Sequence, residues 1–194
     1  MFKIAVFVSG DGSNFQAIID NVKSGKLKCE IAVALGDREC FALERARKNA
    51  IDSYVVDRKS DCFCKEIDKI LLDKNIDLIV LAGFLSILDE DFVEKWKSKI
   101  INIHPSLLPK YGGKGMYGLN VHKKVLKNCE KISGCTVHFV NGKIDGGKIL
   151  KQSVVEVKKG DTPEELQKRV LEQEHIILSQ VIKELIDNRL IDSK

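Results

Sequence analysis

Only three prolines and one tryptophan occur in the 194 residues, and two of those prolines fall within a single stretch, "NIHPSLLP", residues 102–109. No apolar run reaches the roughly 18 residues that a membrane span needs, which excludes a helical membrane protein. The first strand reads from Lys3 and leaves no room for a charged leader with a cleavage site, so the protein is expected to stay in the cytoplasm. Neither sign of charge dominates: 32 basic against 28 acidic residues leave a formal charge of +4. That is weak support for a polyanion, and a small anionic ligand is expected rather than nucleic acid. None of the six cysteines (Cys29, Cys40, Cys62, Cys64, Cys129, Cys135) makes a C-x-x-C pair, which argues against a structural zinc site. Free thiols are expected, with Cys62 and Cys64 too close for an ordinary disulfide and Cys135 in the core. There is no repeat, linker or low-complexity stretch.

Hydrophobic residues make up 44% of the chain and charged residues 31%, an ordinary globular mixture. The length fits one domain, residues 1–194. "KIAVFVS" is a short run rich in β-branched and apolar residues. "GDGSN" follows, then a segment whose Phe15, Ile18, Ile19 and Val22 recur at helical spacing. This strand, glycine turn and helix begin an alternation that runs through "CEIAVALG", "FALERARKNA", "IDSYVVD", "CKEIDKILLDKN" and "IDLIVLAGF". That rhythm predicts an α/β fold with a doubly wound, mostly parallel sheet covered on both faces. "IINIHP" reads as the fifth strand and "KYGGKGMYGLN" as a surface loop; "VHKKVLKN" should be helical. "ISGCTVHFV" and "KILKQSVVEV" read as a hairpin-like strand pair. Thr162, Pro163 and Glu165 form a capping box that opens a long terminal helix, with Leu166, Val170, Ile177, Val181 and Ile182 toward the core.

Chemistry concentrates at three places. At the first turn, Gly10, Gly12, Ser13 and Asn14 precede a helix whose free N–H groups and dipole suit a phosphate. Ser13 and Gln16 could equally form a capping box there, and the two readings are compatible. The third glycine of G-x-G-x-x-G falls on Phe15, so this is not a dinucleotide fingerprint, nor is it a Walker loop. On the fifth strand, Asn102 and His104 project to one face while Ile101 and Ile103 project to the other. An amide donor beside an imidazole suits an oxyanion in acyl transfer. No G-x-S-x-G elbow is present and Ser106 has no obvious acidic partner, so a covalent serine route is a poor fit. Asp145, in the turn "KIDGGK", is either an ordinary turn residue or a carboxylate that orients His104. His122, His138 and His175 are expected to be structural, and a metal site from His104, His138 and Asp145 has no recognised ligand spacing.

The segments "SGDGSNFQAIID", "VLAGFLSIL", "INIHPSLLPKY", "GCTVHFV", "IDGGKIL" and "QEH", in this order over essentially the whole chain, resemble the phosphoribosylglycinamide formyltransferases of purine biosynthesis. The asparagine–histidine segment with the later aspartate resembles folate-dependent formyl transferases in general. The resemblance implies 10-formyltetrahydrofolate as co-substrate, no metal, and direct attack by the glycinamide amine without a covalent enzyme intermediate. It implies that His104 is the general acid, that Asn102 holds the formyl oxygen, and that Asp145 raises the histidine pKa and organises a water. It further implies that Gly12, Ser13 and Asn14 hold the substrate phosphate, and that Leu171, Glu172, Gln173 and Glu174 meet the ribose and glycine portion. Cys64, Leu85, Ser86, Ile87 and Leu88, together with Asn102 and with Asn141, Gly142, Lys143 and Ile144, would enclose the folate. The chain departs from that family where Ser86 stands in place of an arginine, and where only Lys65, beside Cys64, is available for another. Leu171 likewise replaces a polar residue, and Gly142 and Lys143 replace an acidic pair.

A transferase acting on tRNA is expected to carry a further basic C-terminal domain, and a formyl-folate hydrolase an extra N-terminal one. A nucleotide-binding regulatory module would need only the glycine loop and would leave Asn102, His104 and Asp145 without purpose. A buried donor to an oxyanion is worth about 2.7–4 kcal/mol, so Asn102→Ala and His104→Ala should fold normally and lose about a hundredfold or more in turnover. Wild-type turnover from either variant would refute the assignment.

Overall fold

The protein is described here by a computed structural model covering residues 1–192, with side chains described through residue 188. The seven strands are β1 (Phe2–Val8), β2 (Cys29–Gly36), β3 (Ser53–Val55), β4 (Leu78–Leu81), β5 (Ile100–His104), β6 (Ile132–Phe139) and β7 (Ile149–Glu156). They form one sheet in the order β3-β2-β1-β4-β5-β6-β7. β1 to β5 are parallel, while β6 and β7 are added antiparallel at one side. The helices are α1 (Ser13–Lys23), α2 (Phe41–Lys48), α3 (Phe63–Asp73), α4 (Glu90–Lys95), α5 (Leu119–Lys127) and α6 (Pro163–Asp192). The expected doubly wound sheet, antiparallel pair and long last helix are all present. No described helix is long and apolar enough to cross a membrane.

The period of two in β1 divides its side chains between two apolar layers. Ile4, Val6 and Val8 meet residues of α1, α5 and α6 on one face, and Ala5 and Phe7 meet residues of α3 and α4 on the other. Phe7 and Phe15 are wholly enclosed, and burial of a side chain of that size stabilises by about 1.5–3 kcal/mol. From β1 the chain winds outward to β2 and β3 and then returns to β4 on the other side. That reversal opens a crevice at the carboxyl ends of β1 and β4, where ligands bind in such sheets. The Ser9 amide donates to the Gly83 carbonyl across it at 3.1 Å.

α6 starts with the expected capping box: the Glu165 amide donates to Thr162 Oγ1 at 3.2 Å and the Thr162 amide to Glu165 Oε2 at 2.8 Å. Leu166, Val170, Ile177 and Val181 are buried, and Glu174 occupies the same stripe, four residues beyond Val170, only 7% exposed. A carboxylate therefore sits on the core-facing side of the helix.

At α1 the capping box of Ser13 and Gln16 does not form. Gly12 is the N-cap in a left-handed conformation (φ 71°), and no side chain caps the helix. The Gln16 amide instead donates to Asp20 and accepts from Arg45 Nη1 at 3.0 Å. Glycine is required at this point for two reasons: the positive φ, and a Cβ that would lie 2.5 Å from Ala42 Cβ.

β6 and β7 are joined by a turn that carries Asp145. A Cβ on Gly147 would lie 1.7 Å from the Phe139 carbonyl oxygen, so the turn closes only because that position is glycine. Gly147→Ala should destabilise by about 1–3 kcal/mol, as overpacking does, and reduce turnover by displacing Asp145. Gly10→Ala, with nothing within 4 Å of its Cβ, should keep the wild-type denaturation midpoint. Equal urea midpoints for wild type and Gly147→Ala would contradict this account of the turn.

Candidate active site

β5 ends in the crevice. Its apolar Ile101 and Ile103 point into one core layer, which leaves Asn102 and His104 on the opposite face. In the antiparallel ladder Asn102 stands opposite His138 and His104 opposite Thr136. His104 Nε2 lies 2.8 Å from the Tyr111 carbonyl. A carbonyl can only accept, so Nε2 carries a hydrogen and the exchangeable site is Nδ1. Nδ1 faces Asp145 Oδ2 at 3.6 Å. His138 Nδ1 is fixed in the same way by the Phe139 carbonyl at 2.8 Å, which leaves Nε2 to accept from the Asn102 amide at 3.2 Å. One Asn102 N–H is thereby engaged, and the amide carries a second.

Asp145 adopts a left-handed conformation (φ 52°) in the β6–β7 turn. Its Oδ2 accepts from the Gly113 amide at 2.8 Å, and its Oδ1 lies 3.7 Å from His138 Nε2. The segment 110–118, expected as a plain surface loop, therefore touches both His104 and Asp145 and covers the site. Tyr111 anchors it, donating its hydroxyl to Glu130 at 2.9 Å.

The electrostatics follow from these contacts. Burial is the largest influence on His104 and holds it below its ordinary value of 6.5; Asp145 and the Tyr111 carbonyl oppose that fall. The expected upward pull of Asp145 is present but does not win. Burial pushes the Asp145 carboxyl up, yet His138, His104 and the Gly113 amide outweigh it and hold the carboxyl below the ordinary range. Glu174 shows the reverse balance: burial raises it, and the Asn14 amide, donating to Oε2 at 2.6 Å, only partly compensates.

The turn after β5 is held by buried hydroxyls. Ser106 donates to the Lys110 carbonyl at 2.6 Å, and Thr136 donates to the Ser106 carbonyl at 2.6 Å while accepting from Leu108 and Gln152. Ser106 is fully buried and its proton is engaged, so it is not a nucleophile.

Two cavities meet at this point. The first, about 360 Å³, is lined by Asn14, Asn102, His104, His122, Asp145, Gln167, Leu171 and Glu174, together with the 113–118 loop. The second, about 540 Å³, is lined by residues 84–90, 140–145, Asn102 and His138. Asn102 and Asp145 belong to both. Of the residues expected for the substrate, Asn14, Leu171 and Glu174 line the first cavity. Gly12 and Ser13 lie beside it at the uncapped start of α1. Glu172 lines neither cavity and is exposed, and Gln173 accepts from Ser153 at 2.8 Å. Of those expected for the folate, Leu85, Ser86, Ile87, Leu88, Asn141, Gly142, Lys143 and Ile144 line the second cavity. Cys64 does not: it is buried in α3, its sulfur accepts from the Asp89 amide at 3.4 Å, and burial pushes its thiol up to about 11. Ser86 donates to the buried Asp37 at 2.6 Å and the Leu85 amide to Ser9 at 2.8 Å, which ties this loop to the ends of β1 and β2.

His138, His122, Gln167 and the 111–113 backbone were not anticipated as parts of the site. For His138 a signal exists: Thr136 and His138 are polar at alternate positions of β6, as Asn102 and His104 are of β5. Among the described residues no group of three or more His, Cys, Asp or Glu side chains is arranged to hold a metal ion.

Residues 2–182 match the formyl transferase family. The chain is 40% identical to the phosphoribosylglycinamide formyltransferase of Haemophilus influenzae over 98% of its own length and 90% of that protein. It is also 40% identical to the chloroplastic phosphoribosylglycinamide formyltransferase of Arabidopsis thaliana, over 97% of its own length but just 66%, slightly under two thirds, of that relative. The crystal structure of glycinamide ribonucleotide transformylase 1 from Symbiobacterium toebii superposes with a TM-score of 0.90 at 35% identity, covering 97% of this chain and 89% of that one.

Because Asp145 opposes the burial-driven fall of the His104 pKa, Asp145→Asn should move the imidazole titration of His104, followed by NMR, to still lower pH than in the wild type. An unchanged or raised value would remove Asp145 from the electrostatics of the site.

Proposed function

The chain belongs to the formyl transferase family, and on that premise we propose that it transfers the formyl group of 10-formyltetrahydrofolate to the amine of 5-phosphoribosylglycinamide. The observation that carries this reading is the meeting of two differently lined cavities at Asn102 and Asp145, with His104 beside them. A reaction between two bound substrates needs such a junction, because holding both in attack geometry replaces a bimolecular encounter.

The first cavity takes the ribonucleotide. The uncapped first turn of α1, at Gly12, Ser13 and Asn14, presents N–H groups and the positive end of the helix to the phosphate. Arg45 adds a cation near this turn, its Nε donating to the Asp11 carbonyl at 2.9 Å. Glu174, held by Asn14, faces the ribose. Glu172 and Gln173 fall outside the cavity, so the contribution of α6 narrows to Leu171, Glu174 and the unanticipated Gln167. The second cavity takes the folate ring system between the apolar side chains of Leu85, Ile87, Leu88, Val140 and Ile144. Cys64 acts at a distance, through Asp89, whose side chain caps α4 by accepting from the Phe92 amide at 2.8 Å.

In the transfer, the amine lone pair attacks the formyl carbon and the carbonyl π electrons move to oxygen. The free Asn102 N–H and a proton on His104 Nδ1 stabilise that oxyanion. Collapse re-forms the carbonyl and breaks the bond to the folate nitrogen. The proton lost by the attacking amine balances the one gained by the departing nitrogen, with His104 and Asp145 positioned to relay it. No covalent enzyme intermediate is required. Residues 1–194 act as a single formyltransferase domain on small-molecule substrates in the cytoplasm.

Incubation of the protein with 10-formyltetrahydrofolate, with and without glycinamide ribonucleotide, tests the proposal spectrophotometrically. Tetrahydrofolate should form only when the amine is present. Product without it would mean hydrolysis, and no product in either mixture would leave a binding module.

A further inference from the structure

The segment between β4 and α4 forms a wall of the second cavity without regular secondary structure. Its Leu85 and Ile87, which line that cavity, are 48% and 75% exposed, so burial does little to fix them. Polar ties at the back of the loop hold it instead. The Ser9 amide donates to the Gly83 carbonyl at 3.1 Å, and Ser9 Oγ accepts from the Leu85 amide at 2.8 Å. Between the two exposed apolar residues, Ser86 donates to Asp37 Oδ2 at 2.6 Å. Ser86 lines the second cavity and not the first.

Asp37 directly follows β2, is 3% exposed and lines neither cavity. Besides the Ser86 hydroxyl, its carboxylate accepts a bidentate pair from Arg38, Nε to Oδ1 at 3.0 Å and Nη2 to Oδ2 at 2.9 Å. Burial pushes this carboxyl up, but Arg38, Ser86 and Ser9 outweigh it and hold it below the ordinary carboxylate range. A buried anion therefore stands where the ends of β1 and β2 meet the loop. A hydrogen bond to a charged acceptor is roughly twice as strong as a neutral one, which makes the Ser86–Asp37 bond a firmer tie than the two through Ser9. Order fixed in advance does not have to be supplied on binding, where it would subtract from affinity. Resting on the reading of the second cavity as the folate site, we propose that Asp37 is a positioning residue: through Ser86 it holds the 84–88 wall in the shape that receives the folate ring system, without itself touching the folate.

The test uses the full chain, with calorimetric titration by 10-formyltetrahydrofolate and by glycinamide ribonucleotide separately, and steady-state rates. Ser86→Ala and Asp37→Ala should each weaken the folate by about tenfold, the loss of one hydrogen bond to a charged group, and move the ribonucleotide by less than about twofold. The loss should appear in KM for the folate more than in kcat. The double variant should bind the folate no more weakly than Asp37→Ala alone, because both changes cut the same tie. Ser86→Thr, which keeps the hydroxyl, should recover most of the affinity. Asp37→Asn, with a weaker uncharged acceptor, is the second variant if the alanine protein does not fold, and should lose folate affinity in the same direction. A loss in Ser86→Ala with none at position 37 would make Ser86 a direct folate contact. Equal weakening of both ligands would make Asp37 purely structural, and additive losses in the double variant would separate the two residues. Each of these, or unchanged folate affinity in every variant, overturns the proposal. A wild-type protein that binds the ribonucleotide but not the folate would instead overturn the folate reading of the second cavity.

Discussion

The hydrogen bond from the Gly113 amide to the Asp145 carboxylate closes the junction on which the site depends. It joins the loop after β5 to the turn between β6 and β7, two segments with no other reason to meet in the sequence. The same loop offers the Tyr111 carbonyl to His104, so one segment fixes both the tautomer of the imidazole and the place of its carboxylate neighbour. A largely buried carboxyl without such donors would drift toward its neutral form and lose the charge that opposes the burial of His104. Glycine at positions 112 and 147 makes the closure possible: a Cβ at Gly112 would lie 3.2 Å from Asp145 Cβ, and one at Gly147 would strike the Phe139 carbonyl.

Two carboxyls that line the first cavity, Asp145 and Glu174, are shifted in opposite directions. Asp145 receives a backbone N–H and faces two imidazoles, and those contacts overcome its desolvation. Glu174 is more deeply buried and has the Asn14 amide as its donor, so desolvation prevails. The local count of donors, not the residue type, separates the more acidic carboxyl beside His104 from the less acidic one beside Asn14.

Among the described residues, two buried polar atoms on residues that line the first cavity, Asn14 Oδ1 and His122 Nδ1, have no hydrogen-bond partner. A core optimised only for stability would not contain them, and functional sites are where proteins carry such destabilising groups. The second cavity differs in character: its loop is already tied down through Ser9, Asp37 and Ser86, so its apolar wall is set before any ligand arrives.

Much of this was legible in the chain. Hydrophobic periodicity located the strands and helices because each local segment buries one face, and that requirement acts residue by residue. The alternation in β5 placed Asn102 and His104 together for the same reason. The misplaced features all depend on contacts between distant segments. Gly12, not Ser13, caps α1 because Ala42 of α2 packs against it. His138 belongs to the site because β6 runs antiparallel to β5 in a register that sets it opposite Asn102. Cys64 is core because α3 turns it under Asp89. The sequence by itself therefore determined the layers, the sheet and the pairing of an amide with an imidazole at the end of β5. Only the tertiary structure decided the loop closure, the two imidazole tautomers and the direction of each pKa, because these are set by donors and desolvation supplied by segments far apart in the chain.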